Sequence, residues 1–140
     1  MSRPIKSFID AWNSAKPGKA ARNDIAISVW YDWFCGDEGL YNRTIKFIHP
    51  LKRILQEVPE AKDFSASGKN CCPCVGPLYD ILRIFDGSEF VCFMAFDDAR
   101  QDHRFQVESA TEVLYDGDDR EAAINAMIAA TKNYIAQKSK

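Results

Sequence analysis

The stretch LYDILRIFDGSEFVCFMAF (78–96) constrains the fold most. Two runs of period two, 78–86 and 89–96, flank Asp86-Gly87-Ser88-Glu89. Glycine readily takes the positive φ that a tight hairpin turn needs, and alternation turns one face of each run towards a core. These residues therefore predict an antiparallel hairpin. DDARQDH (97–103) reads as a polar turn, and RFQVESATEVLY (104–115) adds one or two further strands.

Around this sheet the period changes to that of helices. Ile5, Phe8, Ile9 and Trp12 form one stripe over residues 4–15, with Ser2 as the expected cap and Pro4 in the first turn. KPGKAARN (16–23) reads as a loop. Residues 38–57 place Leu40, Thr44, Phe47, Ile48, Leu51, Ile54 and Leu55 on one stripe behind an Asp37 cap, and Pro50 is expected to kink or split that helix near His49. At the other end, Asp118 and Glu121 have capping-box spacing. Behind them Ile124, Met127, Ile128, Thr131, Tyr134 and Ile135 form a buried stripe.

Two segments read less simply. DIAISVWYDWFC (24–35) as a helix would be apolar all round and need complete burial; its β-branched and aromatic content favours a strand. EAKDFSASGKNCCPCVGP (60–77) is expected to be an irregular surface loop, with Gly76-Pro77 turning the chain into the first strand of the meander. The expected fold is α+β: a single two-layer domain over 1–140, an antiparallel β-meander flanked by N-terminal helices and a C-terminal amphipathic helix.

A chain of 140 residues with 46% hydrophobic content has enough apolar material for a core without staples. A net charge of −2 supplies no global attraction to nucleic acid. No apolar run is long enough for a membrane span, and the start resembles no signal peptide. With five cysteines and no export signal, the expectation is reduced thiols in a cytoplasm.

The chemistry candidates are few. Cys71 and Cys74 have C-x-x-C spacing, but Gly76-Pro77 denies them the following helix that lowers a redox thiol's pKa. A structural zinc site needs a second knuckle, and Cys35, Cys92, His49 and His103 are singletons. The expectation is no metal, no cofactor and no Cys71–Cys74 disulfide; a zinc- or thiol-dependent protein built on that loop is the alternative. Trp30, Tyr31 and Trp33 beside Arg43, Lys46, Lys52 and Arg53 would suit single-strand nucleic acid, although alternating aromatics more often form core and the basic residues read as a solvated face. Asp32, set among aromatics, is expected to be buried and paired with Arg43, Arg83 or backbone N–H groups. No Walker loop, G-x-S-x-G or H-E-x-x-H occurs, so the sequence supports no catalytic assignment.

Three fragments, WYDWFC (30–35), NRT (42–44) and NCCPCVGPLYDILRI (70–84), together resemble a group of small proteins encoded by tailed bacteriophages. Those share a W-Y-D-W-F-C segment and a later N-x-C-P-x-x-G-P-L-Y-D-x-x-R segment. The likeness spans about residues 25–85. It marks Trp30, Tyr31, Asp32, Trp33, Phe34, Cys35, Asn42, Asn70, Cys72, Pro73, Gly76, Pro77, Leu78, Tyr79, Asp80 and Arg83. Cys71 and Cys74 depart from its pattern. What the resemblance implies is a phage or prophage product in a bacterial cytoplasm that binds and modulates a host protein; the lack of an apolar span adds the expectation of no membrane partner. Trp30, Asp32, Trp33, Arg43, Asn70, Cys72, Tyr79, Asp80 and Arg83 are the candidate binding residues.

Overall fold

The computed structural model describes residues 2–15, 19–31, 40–70, 79–97 and 104–139. The expected hairpin lies at its centre: β4 (Tyr79–Asp86) and β5 (Glu89–Asp97) turn at Gly87, whose φ is +61°. β6 (Arg104–Ser109) and β7 (Val113–Gly117) continue the meander, each antiparallel to the strand before it. On the other side β4 pairs with β3 (Ser65–Asn70). The far edge of β3 is shared by two short strands: β1 (Arg3–Pro4) antiparallel to Ala66 and Ser65, and β2 (Trp30–Tyr31) parallel to Gly68 and Lys69.

The register sorts the side chains. Ala66 and Gly68 of β3, Asp80, Leu82 and Ile84 of β4, Cys92, Met94 and Phe96 of β5, and Val107 of β6 share one buried face. Among the described residues four helices accompany the sheet: α1 (Ile5–Ser14), α2 (Lys19–Ile27), α3 (Leu40–Glu57) and α4 (Arg120–Lys138). α4 packs on β5, β6 and β7, and α3 packs on α1, α2 and α4. This is an α+β fold in which an antiparallel sheet carries its helices on one side.

The apolar stripe of α1 emerges as read, and those of α3 and α4 do so in their central residues, with Leu55, Tyr134 and Ile135 partly buried. Ile5, Phe8, Ile9 and Trp12 are buried, as are Thr44, Phe47, Ile48, Leu51 and Ile54 on α3 and Ile124, Met127, Ile128 and Thr131 on α4. The ends differ from expectation. Pro4, not Ser2, precedes α1, and the first N–H of that helix, on Ile5, donates to the Phe64 carbonyl at 2.8 Å. The cap of α4 is Asp119, one residue past the expected Asp118, with its carboxylate accepting from the Ala122 N–H at 3.2 Å. The expected Asp37 cap lies outside the described residues.

Three larger readings are corrected. Of the kink or split expected near His49, the split does not occur: α3 is one helix through Pro50. A lost helical hydrogen bond and ring clash cost about 3 kcal/mol; burial of Phe47, Ile48, Leu51 and Ile54, at roughly 1.5–3 kcal/mol each, outweighs that. Residues 24–27 are the end of α2, not a strand, and 19–23 are its beginning, not a loop. Among the described residues of that region, strand structure is confined to Trp30–Tyr31. Lastly, the expected loop at 60–77 holds a 3-10 helix, Pro59–Asp63, and then β3. SASGKN lacks large apolar residues because its inward positions lie beneath other side chains. A Cβ on Gly68 would stand 2.8 Å from Phe47 Cε2 and 3.1 Å from Trp30 Cδ2. Residues 71–78 and 98–103, and with them the expected turns at Gly76-Pro77 and most of 97–103, lie outside the described residues.

Candidate functional site

Asp80 occupies an inward position of β4, in step with Leu82 and Ile84, and its side chain is 0% exposed. A carboxylate there needs opposite charge brought to it. Arg43 and Lys46, three residues apart on one face of α3, supply it. Arg43 Nη1 donates to Oδ1 and Lys46 Nζ to Oδ2, both at 2.7 Å. Lys46 also lies 5.7 Å from the Phe96 ring centroid. Burial pulls the Lys46 pKa below its ordinary value, with Arg43 adding to the fall and Asp80 opposing it. Both carboxylate oxygens accept charge-assisted hydrogen bonds, so Asp80 is arranged as a structural anchor rather than as a general base.

Trp30 joins the same region from β2. It is 2% exposed, its indole N–H donates to Thr44 Oγ1 at 2.7 Å, and its ring stacks on Phe47 at 5.2 Å. Fully covered aromatics cannot stack on bases, so Trp30 serves the core. The core reading therefore holds for this residue, and the alternative base-stacking role does not. The reading of the basic residues as a solvated face is corrected: Arg43 and Lys46 are partly buried on Asp80, and Arg53 bridges to Glu121 on α4 at 3.0 Å. His49 Nε2 sits 3.0 Å from the other Glu121 oxygen, an exposed link between α3 and α4.

Of the candidate residues, the fold brings together Trp30, Arg43 and Asp80. Asn70 is the register partner of Asp80, and Tyr79 opens β4 beside it. Arg83 is separated from them on the other sheet face, where it donates to Ser67 Oγ at 2.9 Å and lies 5.4 Å from the Phe85 ring. Asp32, Trp33 and Cys72 lie outside the described residues. Lys46, read from sequence as part of a basic helix face, and Thr44, read as part of its apolar stripe, join the region with Gly68, although none of the three was a candidate binding residue. The alternation of Asp80 with Leu82 and Ile84 was the available signal, since it places a charge on an apolar face.

Topology gives this cluster its setting. Tyr31 pairs with Lys69, Asn70 with Asp80, Tyr79 with Asp97, and Asp97 with Arg104. The ends of β2, β3 and β5 and the starts of β4 and β6 therefore stand side by side at one end of the sheet, with the first turns of α3 against them. Elsewhere, Cys92 is fully buried, and burial pushes its thiol up to about 12, a hydrogen bond with Thr131 offsetting part of the rise. Among the described residues no group of three or more His, Cys, Asp or Glu is placed to hold a metal ion, and no helix is long and apolar enough to cross a membrane. Cys71, Cys72 and Cys74 lie outside those residues.

No protein-family model, curated protein or solved structure matches the chain.

Proposed function

We propose that the chain is a small binding protein of phage or prophage origin, which modulates or inhibits a host bacterial protein through the strand-end face around Asp80. One observation carries the reading. Three fragments far apart in sequence meet there: Trp30 bonds Thr44, and Arg43 bonds Asp80. Their polar groups are spent on one another, which makes a rigid frame rather than a reaction centre. Recognition by segments mounted on a rigid scaffold is a common arrangement for binding proteins.

The nucleic-acid reading is weakened by the burial of Trp30 and by the commitment of Arg43 and Lys46 to Asp80. Affinity capture from bacterial lysate on the immobilised chain, with and without nuclease, separates the classes. A host protein retained in stoichiometric amount after nuclease treatment is the expected result. Retention that disappears with nuclease would support the nucleic-acid reading, and zinc in the purified chain by elemental analysis would support the metal reading.

A further inference from the structure

At the opposite end of the sheet from Asp80, a groove of about 570 Å³ opens between α4 and the β6–β7 hairpin. Phe90 and Leu114 line it from the sheet, and Ala126, Ala129 and Ala130 from α4. The alanines explain the space: where Ile124, Met127 and Ile128 fill the gap between helix and sheet, methyl groups do not. Beside the groove runs β7, which pairs with β6 on one edge; among the described residues no strand pairs with its other edge. Val113, 54% exposed, adds apolar surface to that strand.

An open edge next to an apolar groove is the arrangement that accepts an extended segment as an added strand. Main-chain hydrogen bonds supply the attachment, and alternate side chains enter the groove. Charge selects the occupant. Residues 112–119, EVLYDGDD, hold no Lys or Arg: Glu112 lies at the groove, the one charged residue lining it among the described residues, and Asp116 and Asp118 lie towards the far end of the same strand. Arg104 pairs with Asp116 at 2.7 Å. An acidic edge repels a second copy of itself and attracts cations. We infer that β7 and its groove bind an extended basic segment of a partner protein, with apolar residues alternating with Lys or Arg. This surface is separate from the Asp80 face and stands whether or not that face binds a host protein.

Selection of a displayed random peptide library on the immobilised full chain, followed by calorimetry with the enriched synthetic peptide, tests the inference. Enriched sequences should alternate apolar and basic residues, and their affinity should fall as salt rises. Ala129→Trp fills the groove from an exposed position, so the melting temperature should hold while affinity drops roughly tenfold or more. Glu112→Lys, on the exposed hairpin, should weaken binding independently and guards against a folding defect in the first variant. No enrichment, acidic enriched sequences, or undiminished binding to both variants would overturn the proposal. So would self-association that Ala129→Trp abolishes, which would assign the groove to a second copy.

Discussion

A carboxylate without solvent contact persists in a fold only where opposite charge is already in place, and Asp80 has two cations on its two oxygens. The partners are unequal. Arg43 and Lys46 remain partly exposed, whereas Asp80 is wholly covered, so removing the carboxylate strands two cations against an apolar wall. Asp80→Asn should therefore cost about 3–5 kcal/mol in urea unfolding. Lys46→Met should cost distinctly less, because burial already works against the Lys46 charge and Arg43 still neutralises Asp80. Equal losses would contradict this division of roles. Cys92 gives a second test through pH. Its native thiol holds its proton to about pH 12, whereas the unfolded thiol ionises near 9.0. The unfolded state thus binds fewer protons in that window, and stability falls as pH rises from 9 towards 12, by about 1.4 kcal/mol per unit. Lys46 contributes with the opposite sign below 10.5, since its native pKa is lowered. Comparing the wild type with Cys92→Ala isolates the thiol: the variant should lose less stability over the same alkaline range.

Among the elements, those with large apolar residues at a regular period were legible from sequence. α1, most of the α4 stripe and the β4–β5 hairpin stand where their spacing placed them. β3 was not legible, because a strand packed beneath Trp30 and Phe47 needs Ala66 and Gly68, and small residues carry no hydrophobic signal. Gly68→Ala should accordingly cost about 1–3 kcal/mol through overpacking, although alanine suits a strand no worse than glycine. A neutral result would mean that α3 and β2 yield at no cost. The end of α4 was read one residue early, since adjacent aspartates offer the same chemistry and only backbone geometry chooses between them. Asp119→Ala should lower the melting temperature in line with a cap worth about 1 kcal/mol, and Asp118→Ala should leave it nearly unchanged. The Asp80 cluster was half legible. Its carboxylate shows in the alternation of β4, but the cations come from a helix tens of residues away, and no local spacing encodes that meeting.

For the whole molecule, the chain places a charge-locked frame at one end of its sheet and, at the other, an apolar groove beside the open edge of β7. The central claim is that the first of these ends recognises a host protein. Amide hydrogen exchange, on the chain alone and on the chain with the bacterial protein it retains after nuclease treatment, tests that claim most directly. The account predicts added protection at Tyr31, Lys69, Asn70, Asp80 and Arg104, at the strand ends around the Asp80 cluster. Protection confined to β7 and α4, or no change at any of these amides, would contradict it.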